Sequence, residues 1–217
     1  MRFTAAPLFF AVLAAAVPLE TSEDVAFLES RAGPAIDPHL FIIDTPVTSG
    51  TGCPRGSASV VFDKDFQAFT VNFDKYQVQT GPAPLTGADS VKNCKVTLLV
   101  GFDKGYTFSV LTTDLEGFAS LEPGVTGKAI TEFSFTGGSG KPKWQLNFNG
   151  PFDDTFDLTA DPNLIVSSPC GAGTATLNIN TQVALNPLAP SSKKGLIGVS
   201  DLQGFLRQKF HIKWAKC

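Results

Sequence analysis

Four aspartates in the second half of the chain are the first candidates for chemistry: Asp153, Asp154, Asp157 and Asp161. Two carboxylates can serve as the acid and base of a glycosidase, and a cluster of them can bind calcium. On a strand, Asp153 and Asp157 would share one face. The segment lacks the glycine and ligand spacing of a calcium loop, and acidic residues are usually exposed. We therefore interpret it as a solvated acidic turn. The alternative is a secreted hydrolase that uses Asp153 and Asp157.

A second candidate is a run near the C-terminus in which basic residues alternate with other types. On a strand, Arg207, Lys209, His211 and Lys213 would share one face, and we call these four residues the basic strip. One interpretation is an anion-binding surface for cell-wall polysaccharide or another surface polyanion. The other is that the strip protects an edge strand, since lysines there oppose pairing with a second sheet. We favour edge protection and keep anion binding as the alternative.

Other catalytic arrangements are not supported by the sequence. The segment Gly138-Ser139-Gly140 is followed by Lys141, so it matches neither a nucleophile elbow nor, with Pro142 next, a phosphate loop. His39 and His211 are the only histidines, which leaves few general bases. We expect no cofactor and no metal site, and we lean towards a protein that is not an enzyme.

The four cysteines predict two disulfides. Cys53, Cys94, Cys170 and Cys217 form no C-x-x-C pair, and neither histidine lies at a zinc-binding spacing from them. An even number of cysteines in an exported chain is typical of disulfide pairing, with three possible connectivities. We favour Cys53–Cys94 and Cys170–Cys217, because each bond closes a moderate loop within one half of the chain. The pairing Cys53–Cys170 is the main rival.

The N-terminus has the features of a secretory signal peptide. Met1-Arg2 gives a positive start, Leu8 to Val17 is apolar, and Ala14-Ala15-Ala16 supplies small residues for cleavage. The apolar run is shorter than the roughly 20 residues that a membrane span requires. We therefore predict a signal peptide at residues 1–17, a secreted, extracellular protein and no transmembrane anchor.

The remaining chain divides into a leader and a domain. Residues 18–47 begin with an acidic, proline-containing stretch, which predicts a flexible leader or propeptide. Residues 48–217 then form a single secreted domain. The formal charge of −3 gives no general attraction to nucleic acid, so no nucleic-acid partner is expected. Phenylalanine dominates the aromatic residues, which indicates a phenylalanine-rich core.

Alternation of apolar and polar residues indicates the fold class. It recurs in short runs at residues 69–73, 96–100, 106–110, 133–135, 144–148, 177–181 and 210–214. A period of two predicts half-buried strands, and glycine and proline between the runs predict turns. We therefore predict an all-β protein, an antiparallel β-sandwich or flattened barrel with two disulfides.

An ordered set of short motifs accompanies this pattern. They are Gly50-Thr51-Gly52-Cys53-Pro54, Lys92-Asn93-Cys94, Leu121-Glu122-Pro123-Gly124-Val125, Ser168-Pro169-Cys170-Gly171, Leu177-Asn178-Ile179-Asn180-Thr181 and Trp214-Ala215-Lys216-Cys217. Over residues 48–217 the order resembles a fungal-type family of small secreted four-cysteine proteins, domain of unknown function 4360. The resemblance implies secretion, paired cysteines and a β-rich fold, and it brings no active site to transfer. Leu115-Glu116-Gly117-Phe118 stands where that family typically has Tyr-Arg-Gly-Tyr, which removes two hydroxyls and reverses a charge.

These observations favour a secreted, non-enzymatic protein that binds at a cell wall or at a host or competitor surface. A secreted hydrolase centred on the aspartate cluster is the second hypothesis. A structural wall protein is the third.

Overall fold

The computed structural model describes residues 38–198 and 205–217, and the alternating runs form strands there. In chain order the strands are β1 Leu40–Ile42, β2 Val47–Ser49, β3 Ala58–Phe62, β4 Ala68–Phe73, β5 Gln77–Thr80, β6 Val91–Phe102, β7 Tyr106–Leu121, β8 Thr126–Phe135, β9 Lys143–Asn149, β10 Phe152–Ala160, β11 Thr174–Asn186, β12 Gly195–Gly198 and β13 Leu206–Lys216. A short helix, α1, spans Gly87–Ser90. Each predicted run lies within one of these strands, so the β-rich prediction is confirmed.

The strands form two antiparallel sheets. The six-stranded sheet has the order β1–β6–β11–β8–β9, and β2 also pairs with β6. The seven-stranded sheet has the order β3–β4–β13–β7–β12–β5, and β10 also pairs with β7. The predicted antiparallel sandwich is therefore confirmed.

The core between the sheets is rich in phenylalanine, as the composition predicted. Phe210 of the seven-stranded sheet lies 5.8 Å from Trp144 of the six-stranded sheet, measured between ring centroids. Phe108 and Phe135 meet across the core in the same way at 5.3 Å. Edge-to-face contacts of this kind add to the stabilisation that burial itself provides. Aromatic packing therefore holds the two sheets face to face.

A buried polar contact also joins the sheets. The side-chain amide of Gln208, on β13, donates to the Thr131 hydroxyl at 2.8 Å, and its oxygen accepts from Thr181 at 3.0 Å. All three side chains are buried. Because each group has its partner, this network costs little and fixes the alignment of the sheets.

The cysteines pair as Cys53–Cys94 and Cys170–Cys217, which confirms the favoured connectivity. The first bond joins the segment after β2 to β6. The second joins the segment before β11 to the end of the chain, after β13.

Only part of the segment covered by the N-terminal predictions belongs to the described residues. The signal-peptide prediction and most of the leader lie outside the described residues. Strand β1 falls inside the segment assigned to the leader, β2 begins at the last residue of that segment, and both strands pair with β6. The described sheet therefore begins at Leu40, ahead of residue 48. Among the described residues, no helix has the length and apolar character needed to cross a membrane.

Candidate functional site

The basic strip lies in the interior of the seven-stranded sheet. Strand β13 pairs with β4 on one side and with β7 on the other. The edge-protection interpretation is therefore wrong for Arg207, Lys209 and His211, because β13 is paired on both sides there, whereas Lys213 lies beyond the pairing with β4. The prediction that the four residues share one face agrees with the alternation of burial along β13.

Three members of the strip have acidic partners on neighbouring elements. Arg207 is paired with Glu116 of β7. The Lys209 Nζ lies 2.8 Å from Oδ2 of Asp63, which follows β3, and the His211 Nε2 lies 2.6 Å from Oδ2 of Asp114 on β7. Lys213 has no ion pair among the described residues. The strip is therefore largely neutralised by its own sheet.

The electrostatics agree with this pairing. The hydrogen bond and charge of Glu116 raise the pKa of Arg207, although partial burial opposes the shift. The hydrogen bond from Lys209 to Asp63 likewise raises the pKa of Lys209. Partial burial alone would raise the pKa of Asp114, but its hydrogen bonds with His211 and Thr159 outweigh that cost and lower it. The pairing thus favours the charged forms of Arg207, Lys209 and Asp114.

The aspartate cluster lies on β10, beside β7. The interpretation as a turn is wrong, since Asp153, Asp154 and Asp157 belong to this strand, while their predicted exposure is confirmed. Asp157 stands directly opposite Glu116. Partial burial, together with the charges of Glu116 and Asp114, raises the pKa of Asp157.

The predicted catalytic pair does not have the spacing of a glycosidase. Asp153 and Asp157 are four residues apart on a strand, which separates them by about 13 Å. Glycosidase carboxylates lie roughly 5–9.5 Å apart. Glu116, the acid nearest Asp157 in register, is already the counter-ion of Arg207. Within the described residues, no group of three or more histidine, cysteine or acidic side chains is arranged to hold a metal ion.

The six-stranded sheet presents a different outer surface. Along its central strand, β11, the asparagines Asn178 and Asn180 point outward while Leu177, Ile179 and Thr181 are buried. We call this surface the amide face and define it by the outward residues of β6, β8, β9 and β11, together with Lys141, which precedes β9. They include Lys95, Thr97, Lys128, Glu132, Ser134, Lys143, Gln145, Asn147, Asn178, Asn180 and Gln182.

Strand register aligns these side chains in rows. Ser49, Lys95, Asn180 and Glu132 are successive neighbours across β2, β6, β11 and β8. At a strand spacing of about 4.8 Å, this row is about 14 Å long. A row of this length can contact several units of an extended ligand.

The adjacent row is ordered by hydrogen bonds. Thr97, Asn178 and Ser134 are neighbours in register. The Thr97 hydroxyl donates to Asn178 Oδ1 at 3.1 Å, and Asn178 Nδ2 donates to the Thr136 hydroxyl at 3.1 Å. Asn178 is therefore held in one orientation, and its amide still has an N–H with no partner among the described residues.

A cavity of about 540 Å³ lies over these two rows. Its lining is mainly polar and includes Ser49, Asn93, Lys95, Glu132, Ser134, Lys141, Asn178 and Asn180. Lys141 precedes Pro142, whose carbonyl accepts a hydrogen bond from the backbone N–H of Phe133 at 3.1 Å. Lys141 therefore extends the row that contains Ser134.

One wall of the cavity depends on a glycine and a disulfide. Gly50 has φ +134°, and a Cβ there would lie 2.2 Å from the carbonyl oxygen of Asn93. Only glycine allows this close approach of the 50–53 segment to β6. Cys94 is buried between the outward residues Asn93 and Lys95, so its bond to Cys53 fixes the wall to the strand that carries them.

An apolar patch continues the amide face towards the edge of the sheet. Phe41, Ile43, Val47 and Leu99 are exposed there, with 53% exposure for Phe41 and 65% for Val47. The Phe41 ring covers Gly101, where a Cβ would approach ring carbons to 2.4 Å. Gly101 thus lets the aromatic ring lie flat on the sheet.

The lysines of the amide face are not neutralised as the basic strip is. Lys95, Lys128, Lys141 and Lys143 have no ion pair within residues 38–198 and 205–217, and neither does Glu132. Glu132 and Lys143 are opposite in register, yet no ion pair joins them. Four lysines and one glutamate thus give this face a net positive charge, while the whole chain carries −3.

Asn178 and Asn180 lie in the alternating run at residues 177–181, but the alternation alone did not identify them as a site. A signal was present, because asparagine is uncommon in strands and here occurs twice on one face. Lys95, Glu132 and Lys141 are far apart in sequence. Their convergence depends on the pairing of β6, β11 and β8.

Comparison with known proteins identifies the family. The family model described as Domain of unknown function (DUF4360) matches residues 40–217. An uncharacterized secreted protein of Arthroderma benhamiae is 34% identical over 191 residues, which cover 87% of this chain and 77% of that protein. The chain belongs to this family, as its motifs indicated, and it is a secreted protein.

Solved structures show more distant similarity. A family 61 carbohydrate-binding module, solved with β-1,4-galactotriose, is 12% identical and has a TM-score of 0.30; the match covers 79% of this chain and 88% of the module. The family 11 carbohydrate-binding module of a cellulase of Clostridium thermocellum is 13% identical and has a TM-score of 0.22, with 81% and 88% covered.

Proposed function

We propose that this protein is a secreted, non-catalytic glycan-binding protein and that the amide face is its binding surface. The observation that carries the proposal is the cavity lined by Lys95, Glu132, Asn178 and Asn180. Among the described residues, the side chains of Lys95, Glu132 and Asn180 have no partner. Polar groups left free on a rigid sheet are available to a ligand.

The chemistry of the face suits a sugar. Asparagine amides donate and accept, so each can bond with a hydroxyl in either direction. Hydrogen bonds with Thr97 and Thr136 already hold Asn178 in place, so ligand binding costs less side-chain conformational entropy. The adjoining patch around Phe41 gives an apolar surface on which the C–H face of a pyranose ring can pack.

The charged face of the other sheet is less suited to binding. Arg207, Lys209 and His211 already contact acids, so a ligand that binds them would have to displace Glu116, Asp63 or Asp114. Its carboxylates do not have the spacing of a glycosidase pair. Both facts favour binding at the amide face over hydrolysis at β10.

Affinity electrophoresis tests the proposal. The exported protein is run in gels that contain neutral or acidic wall polysaccharides, and at least one of them should retard it. Asn180→Ala should reduce retardation about fivefold to tenfold, since it removes one or two hydrogen bonds to the ligand. Asn180 has no side-chain partner among the described residues, so the fold should be unaffected.

The matched control is Asn72→Ala on the outer face of β4, which should be retarded like the wild type. Absence of retardation by every polysaccharide would contradict the proposal. Equal loss of retardation in both variants would place binding elsewhere.

A further inference from the structure

We infer that the ligand of the amide face is an acidic glycan, a polyuronate whose successive carboxylates pair with Lys95 and Lys141. This inference rests on the proposed function and specifies the class of ligand.

The lysines in the cavity carry a charge that no acidic side chain among the described residues neutralises. Lys95 and Lys141 line the same cavity, and neither has an acidic partner among the described residues. On the basic strip of the same protein, by contrast, three basic side chains have a carboxylate in contact. A lysine without a counter-ion in a polar cavity attracts an anionic group of the ligand.

The two lysines lie on opposite sides of the cavity, far apart across the sheet. Lys95 lies on β6, and Lys141 lies beyond β8, next to the segment that hydrogen-bonds to Phe133. Three strand spacings separate them, about 14 Å at the backbone. A single small anion cannot contact both ends, whereas a chain with a carboxylate on each unit can.

Between the lysines lie side chains that can form hydrogen bonds with hydroxyl groups. Asn178 and Asn180 offer neutral donors and acceptors there, and Glu132 offers acceptors only. Glu132 repels a carboxylate beside it but accepts from a hydroxyl. The site therefore fits a polymer that alternates carboxylates with hydroxyls, and it disfavours a polyanion without hydroxyl groups.

Affinity chromatography of the exported protein tests the inference with three immobilised probes. They are polygalacturonate, the same polymer with its carboxylates methyl-esterified, and polyglutamate. We expect retention on polygalacturonate that weakens as salt rises from 0.1 M to 1 M, because the Debye length shortens from about 10 Å to about 3 Å. Retention on the methyl ester and on polyglutamate should be at least about tenfold weaker.

The decisive variant carries Lys95→Gln and Lys141→Gln. It should lose about tenfold or more of its retention on polygalacturonate and keep its weak retention on the methyl ester. The matched control, Lys209→Gln with Lys213→Gln, should behave like the wild type. Circular dichroism of both variants checks that each is folded.

Each contrary result is distinct. Equal binding to the acid and the ester would overturn the polyuronate inference and leave the glycan-binding function intact. Equal binding to polyglutamate would overturn recognition of sugar hydroxyls. Loss of retention in the Lys209 and Lys213 variant would move the site to the basic strip. Failure to bind any glycan would end both proposals.

Discussion

The two outer faces of the sandwich carry similar residue types and differ in how those residues are paired. On the seven-stranded face, Arg207, Lys209 and His211 each contact an acid from a neighbouring element. On the six-stranded face, Lys95 and Lys141 have no such partner among the described residues. A basic stripe in a sequence is therefore weak evidence for anion binding, because the strands placed beside it decide whether its charge is free.

The largest expected effect comes from the disulfides. Replacing Cys53 and Cys94 by serine opens a loop with a sequence separation of 41, and replacing Cys170 and Cys217 opens one of 47. By the chain-entropy model each change should cost about 4 kcal/mol of unfolding free energy. Urea denaturation of the two double variants measures it.

Binding should separate these two variants. The Cys53–Cys94 bond fixes the cavity wall at Gly50 to β6, so its loss should weaken glycan retention even where the variant is fully folded. The variant without Cys170–Cys217 should retain glycan normally under the same conditions. Equal retention by both would show that the first bond does not shape the site.

A smaller effect is expected when the basic strip is released from its partners. The variant combines Asp63→Asn, Asp114→Asn and Glu116→Gln in a chain that also carries Lys95→Gln and Lys141→Gln. Freed cations should restore retention on polygalacturonate severalfold, and salt should remove it. Exposed ion pairs contribute roughly 0–1 kcal/mol each, so the fold should tolerate the changes. If retention is not restored, then the ion pairs with Asp63, Asp114 and Glu116 are not what prevents the basic strip from binding.

The smallest effect concerns Asp157. Partial burial and the charges of Glu116 and Asp114 raise its pKa, so its ionised form disfavours the folded state at neutral pH. Asp157→Asn should therefore increase the unfolding free energy at pH 7 by up to about 0.5 kcal/mol. The gain should disappear as the pH falls through the folded pKa to below the ordinary value of about 3.9.

Thermal unfolding at pH 7 and pH 3 measures the difference. Asp153→Asn, an exposed change on the same face of β10, is the control and should leave stability unchanged at both pH values. A destabilised Asp157→Asn variant at pH 7 would contradict the electrostatic account of this face.

The sequence predicted the strands whose side chains alternate most clearly, including β11 and β13. It missed β10 as a strand, because Asp154 stands where the alternation of Phe152, Phe156 and Leu158 requires an apolar residue. It also missed β12, where Gly195-Leu196-Ile197-Gly198 is too short to show a period. Both strands are held by β7, which is a contact distant in the chain.

The site was harder to predict than the fold for the same reason. The outward direction of Lys209 followed from a period of two, but its partner Asp63 lies on a different element, and local pattern gives no sign of it. Likewise, Lys95 and Glu132 become neighbours of Asn180 only through the register of β6 and β8 with β11. Periodicity fixes which face a side chain occupies, while non-local pairing decides what lies beside it.

The most direct test of glycan binding at the amide face is an NMR titration of the ¹⁵N-labelled exported protein with a galacturonate trimer. We expect the side-chain amide signals of Asn178 and Asn180 to shift on addition of the trimer, along with the backbone amide signal of Lys95. The side-chain amide of Asn72, on the opposite sheet, should not move. Shifts confined to β13 and β7, or no shifts at saturating trimer, would contradict the assignment of the amide face as the binding surface.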